Sequence, residues 1–129
     1  MFRLCTVLLG LAAIGLPEAR AAECHQYAVD DSFAITQSNG YHVTFQVTQD
    51  ETGAFKGTAL VGDQTGTVMG TIADTGKFDM LVTWENGSVG DYTGWVGADG
   101  KIVDGTGFDR SNPASRATWT NLSPLRCAD

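Results

Sequence analysis

Few side chains in this sequence are equipped for acid–base or covalent chemistry. Two histidines and three cysteines occur among 129 residues. His25 stands beside Cys24, and His42 alternates with apolar neighbours, which puts it on the polar face of a strand. A lone imidazole in that setting is solvated, not catalytic. No G-x-S-x-G elbow offers a serine nucleophile. Most carboxylates are Asp in or beside turn sequences, where the side chain bonds nearby backbone N–H groups. A pair such as Asp91 and Asp109 would do acid–base work only if folding brought both together and desolvated them. Asp99, Asp104 and Asp109 recur every five residues, which is not the alternate-residue ligand spacing of a calcium loop. Gly105-Thr106-Gly107-Phe108-Asp109 matches part of one calcium-binding nonapeptide, with no adjacent copy to share an ion. The expectation is a protein that is not an enzyme, with no catalytic residues, no metal and no cofactor.

Recognition chemistry is better represented. Tyr41, Trp84, Phe108 and Trp119 each lie next to a turn sequence, as do Asn39 and Asp91. Aromatic walls with a few amide or carboxylate groups are the make-up of a small-molecule site. Whether these six residues meet depends on the elements that carry them.

Turn signals punctuate the chain at regular intervals: Ser38-Asn39-Gly40, Asp50 to Gly53, Gly62 to Thr65, Asp74-Thr75-Gly76, Glu85 to Ser88 and Ala98-Asp99-Gly100, with a longer loop from Asp109 to Ser115. Between them lie eight stretches, about 32–37, 41–48, 54–61, 66–73, 77–84, 89–96, 101–108 and 117–122. Tyr41, Val43, Phe45 and Val47 alternate with polar residues, and Phe78, Met80, Val82 and Trp84 do the same. Period two with one apolar face is a half-buried antiparallel strand. Short strands at this spacing, with no helical period, predict an all-β fold: an eight-stranded antiparallel up-and-down meander closed into a barrel. Leu60, Val68 and Leu81 are expected to face outwards, as a subunit interface or as scattered surface apolars.

In a meander, alternate turns share an end. Turns 38–40, 62–65, 85–88 and 109–115 fall together, and bring Asn39, Tyr41, Trp84, Asp91, Phe108 and Trp119 to one mouth as candidate ligand-binding residues. Trp95 falls near the other end and is expected to pack there. The same aromatics could instead plug the interior; both arrangements are compatible with the sequence.

The first residues read as an address. Met1-Phe2-Arg3, an apolar run from Leu4 to Leu16, Pro17 and Ala19-Arg20-Ala21 form a secretory signal peptide over 1–21. Thirteen apolar residues fall short of the ~20 a spanning helix needs, so no membrane span is expected in the mature chain. Removal of Cys5 leaves Cys24 and Cys127, an even pair that an oxidising compartment joins. The barrel domain is then 22–129, closed by that disulfide, in a secreted or periplasmic protein. The whole chain carries a net charge of −7, which argues against nucleic acid. Glycine stands at sixteen residues, or about 12% against a usual ~7%.

Gln37 to Thr44, followed by Asp50 to Thr58, resembles the opening hairpins of the avidin-like proteins. Val82-Thr83-Trp84-Glu85-Asn86 is similar to that family's V-x-W-x-N segment, and Tyr92-Thr93-Gly94 and Thr118-Trp119 fall near its later Trp strands. The resemblance implies the eight-stranded barrel. It supports the barrel far more than it supports biotin, because Ser32 to Thr36 replaces the family's G-x-W strand and Ala59 stands about where a ligand-bonding Tyr is expected.

Two functional expectations follow. One is a binding module holding a small-molecule or glycan-like ligand at the aromatic end. The other is a protein-interaction barrel with a filled interior, such as an inhibitor of an exported protease or an envelope-associated protein. Arg110 and Arg116 would then touch the partner. A void of ~300 Å³ or more at the aromatic end separates the two.

Overall fold

The computed structural model describes residues 24–128; the leader expected over 1–21 lies outside the described residues. Ten strands follow in chain order: β1 (Tyr27–Ala28), β2 (Ser32–Gln37), β3 (His42–Gln49), β4 (Ala54–Val61), β5 (Gln64–Ile72), β6 (Lys77–Trp84), β7 (Val89–Val96), β8 (Ile102–Asp109), β9 (Asn112–Asn121) and β10 (Arg126–Cys127). Strands β2 to β9 pair consecutively and antiparallel, and β9 returns to β2 to close an up-and-down barrel. The closing seam has three paired positions, Ile35 with Asn121, Thr36 with Thr120 and Gln37 with Trp119. The expected eight-stranded barrel is the observed fold. Among the described residues no helix is long and apolar enough to cross a membrane.

Turn chemistry sets the hairpins. Gly40 and Gly87 adopt φ of 95° and 92°, a backbone conformation that costs glycine nothing and β-carbon-bearing residues a good deal. The last hairpin departs from expectation. There is no seven-residue loop: Arg110 and Ser111 alone turn the chain, with Asp109 facing Asn112 across the turn. The register then jumps to Phe108 opposite Arg116, so Pro113, Ala114 and Ser115 form an exposed bulge in β9. The Asp109 carboxylate secures the turn by accepting bonds from the Ser111 backbone N–H at 2.9 Å and its hydroxyl at 2.8 Å.

Glycine excess has a structural reason. Gly57, Gly66, Gly70, Gly90, Gly94, Gly105 and Gly107 all sit at strand positions where an added Cβ would lie within 3.0 Å of a neighbour. A narrow barrel cannot fill its interior with large side chains at every inward position. Aromatic rings therefore lie over glycine backbone: Tyr92 over Gly90 and Gly107, Phe55 over Gly70, Trp84 over Gly66.

The two ends of the barrel differ. Phe33, Phe55 and Phe78 are each the second residue of a strand that rises from one end. Their rings join Phe45, Trp119 and Tyr92 in an unbroken chain of contacts with centroids 4.7–6.0 Å apart. Each such ring buries a large apolar area and gains further from edge or offset contact. Below them the two-stranded sheet of β1 and β10 closes that end. Gln49 accepts a bond from the Val29 N–H and donates to the carbonyls of Tyr27 and Gly53, while Leu125 N–H bonds the Gly100 carbonyl. A disulfide joins Cys24 to Cys127 with Cα atoms 5.7 Å apart; such a bridge fits an extracellular or periplasmic protein.

Two surface expectations need correction. Val68 faces inwards and is buried, because β5 starts at Gln64 and the parity of Gly66, Val68, Gly70 and Ile72 is inward; Leu60 is exposed as expected. Trp95 is 45% exposed on the outer face, under the Lys77 ammonium at 5.5 Å from its ring centroid, and does not pack inside.

Candidate functional site

At the unsealed end the barrel holds a cavity of about 320 Å³. Its position follows from the strand ends. Gln37, Val61 and Trp84 are the last residues of β2, β4 and β6, and Gln64 is the first of β5. All four line the cavity together with Tyr41, Tyr92 and Trp119. Above them the turns contribute Asn39, Asn86 and Ser88. The phenylalanine chain stops short of this end, so the interior is packed in one half and open in the other.

The aromatic walls differ in how firmly they are held. Trp119 is buried, and its indole N–H donates to the carbonyls of Thr93 and Thr106, each at 3.1 Å. Those carbonyls flank a register shift between Thr93 and Trp95, where β8 carries Asp104 at φ 54°. Trp119 therefore serves the fold and forms a rigid wall. Trp84 is partly buried and makes no side-chain hydrogen bond among the described residues, which leaves its ring face and N–H for a ligand. Tyr41 is 58% exposed at the rim.

The polar lining is organised by one relay. The Tyr41 backbone N–H donates to Asn39 Oδ1 at 3.4 Å, Gln37 Nε2 donates to the same oxygen at 3.1 Å, and Tyr92 Oη donates to Gln37 Oε1 at 2.6 Å. Burial pushes the Tyr92 phenol up to about 12, because a phenolate there would lose its hydration. Opposite, Asn86 Oδ1 accepts from the Ser88 backbone N–H at 3.0 Å and its hydroxyl at 2.9 Å. These are side chains held by their own turns.

Of the six residues expected at this mouth, Asn39, Tyr41, Trp84, Phe108 and Trp119 line the cavity. Phe108 meets it at the edge: it pairs with Asp91 and Arg116, on the face opposite Gly107, and the Arg116 guanidinium lies 4.9 Å over its ring. Asp91 does not belong to the site. It sits on the outer wall, where Arg110 Nη2 pairs with its carboxylate at 3.2 Å. That wall has a broader, more open depression of about 730 Å³, with Lys56, Met69, Asp79 and Leu81. Larger volume does not make it the better site, since it is a shallow strand surface and its Asp91 is already satisfied by Arg110. Asp109, not Asp91, lines the inner cavity.

Gln37, Gln64 and Tyr92 were not expected there. Alternation would have placed Gln37 two residues beyond inward Ile35, and Tyr92 between two inward glycines. Among the described residues no group of three His, Cys, Asp or Glu is placed to hold a metal ion. Compared with known proteins, the chain matches no family model, no curated protein and no solved structure.

Proposed function

We propose that this protein is an exported binding module that takes a small, ring-containing or glycan-like ligand into the open end of its barrel. The observation that carries the reading is the cavity itself: about 320 Å³, at the unsealed end, walled by Tyr41, Trp84, Tyr92 and Trp119. Its size lies at the lower end of small-molecule sites. Affinity would come from stacking on Trp84 and from hydrogen bonds to the amides at the rim. The partly buried ring of Trp84, resting on Gly66 without a polar tie of its own, is the natural contact. Export is supported by the leader-like sequence and by the disulfide, which persists in secreted and periplasmic settings. Biotin belongs among the compounds to try on the strength of the avidin-like resemblance, with Ala59 buried in the wall in place of the expected Tyr.

The test is tryptophan fluorescence of the oxidised mature protein titrated with vitamins, sugars and small aromatic compounds. Trp95 is outside the barrel, so a Trp95→Phe background isolates the two tryptophans of the cavity. A saturable change that Trp84→Ala removes is the expected result. Silence across the panel, with the fold intact, would overturn the reading and turn attention to protein partners.

A further inference from the structure

The polarity of the rim restricts what can bind there, granted the binding reading above. A backbone N–H can only donate, so the Tyr41 N–H obliges Asn39 to turn its oxygen towards the turn. That oxygen accepts from Gln37 Nε2 as well, which turns Gln37 Oε1 towards Tyr92 and makes the phenol the donor. The whole relay is thus oriented from one backbone group. What is left over is the Nδ2 of Asn39, with two protons and no partner among the described residues. The same logic holds at Asn86. The Ser88 N–H fixes Oδ1 inwards to the turn, and the Asn86 Nδ2 is again left to the cavity. Trp84 Nε1 adds a third donor, and Arg116, which makes no ion pair among the described residues, adds a fourth at the rim.

We infer that the mouth selects ligands carrying an sp² oxygen acceptor, a carboxylate or a carbonyl, as the head group of an apolar ring. The ring sits between Trp84 and Trp119, and the oxygen meets the amide protons of Asn39 and Asn86. An ammonium head is disfavoured, because it would meet these four donors, and the Asp109 carboxylate that also lines the cavity already accepts from the Ser111 N–H and hydroxyl. Deeper in, the Tyr92 hydroxyl commits its proton to the hydrogen bond with Gln37 Oε1 and has only acceptor capacity left, so a ring N–H is suited to the buried end.

Three probes of one shape test this: indole-3-acetate, indole-3-acetamide and tryptamine, each titrated calorimetrically into the oxidised protein. The acetate or the acetamide is expected to bind at least tenfold more tightly than tryptamine. Asn39→Asp and Asn86→Asp together keep the oxygen that each turn requires and remove the free amide protons, so they should abolish or invert that order at an unchanged melting temperature. Arg116→Gln distinguishes the two acceptors: a loss confined to the acetate marks a carboxylate site, and no change marks a neutral carbonyl site. Equal binding of all three probes, or an order unaffected by the Asp pair, overturns the inference while leaving the binding module intact. If the wild-type protein binds none of the three, the inference fails; if the fluorescence panel is silent as well, so does the binding reading.

Discussion

Tyr92 keeps its phenolic proton on Gln37 while its ring lies across Gly90 and Gly107. Its ordinary value of 10.0 rises to about 12 through burial. The folded state therefore holds this proton more tightly than the unfolded chain does. Stability from this source is complete below pH 10 and is lost as pH rises through 12, by about 2–3 kcal/mol in all. Alkaline unfolding followed by circular dichroism should show that loss, and a phenolate absorbance step near pH 12 should vanish in Tyr92→Phe. The same substitution removes one part-buried hydrogen bond, at a cost of about 1 kcal/mol at neutral pH, measured as a lower denaturation midpoint. Neither Tyr92 nor Gln37 stands out in the sequence, because both look like ordinary members of a strand. Asn121 carries a parallel lesson. Read as Asn-Leu-Ser it is a glycan acceptor pattern, yet it is 2% exposed, donates to the Gly100 and Ser123 carbonyls and accepts from the Ile102 N–H. A glycosylating host should leave it unmodified, as peptide mapping at Asn121 would show; an intact mass would also carry any glycan at the exposed Asn86 of the Asn86-Gly87-Ser88 pattern.

Strands β2, β4, β6 and β7 have the same bounds in the structure as in the sequence reading, because turn glycines and alternation bracket each of them. Legibility fails where the ladder is irregular. The bulge of Pro113, Ala114 and Ser115 looks like a loop in sequence, since a proline and small polar residues signal a turn whether or not pairing resumes on both sides. The shift near Asp104 reverses the parity of β8 beyond it, which is why Asp109 follows Gly105 and Gly107 towards the interior and Phe108 meets the cavity only at its edge. Inward glycines are equally opaque: their role is set by the ring across the strand, not by their neighbours in sequence. Gly105 is a sharp case, with an added Cβ falling 2.2 Å from the Trp119 carbonyl oxygen. Gly105→Ala should cost about 2 kcal/mol or more through overpacking, seen as a melting temperature lower by about 10 °C, with the β8–β9 amides losing exchange protection first.

The whole molecule is asymmetric along its axis, sealed and cross-linked at one end and open at the other. The bridge spans 103 positions, and chain-entropy arguments give a loop of about that length up to ~4.7 kcal/mol. Cys24→Ser or Cys127→Ser should lower the melting temperature substantially, while ligand affinity at 25 °C stays within about twofold because the cavity lies at the far end. Equal melting with and without reductant would contradict the first half of that expectation. A large fall in affinity would show the two ends to be coupled. The pairing of turns into two ends is legible in the sequence, but the sealing depends on Gln49 and Leu125, which bond Tyr27, Val29 and Gly100, residues far from them along the chain. Because Cys24 and Cys127 are neighbours, the described chain is a ring cut at its sealed base. Rejoining it there and recutting at the exposed Gly62-Asp63 turn would yield a circular permutant with the same barrel. In the natural order, the chain leaves the barrel at Cys24 and Cys127 on the sealed base, so a copy tethered through either of those points would present its mouth away from whatever holds it.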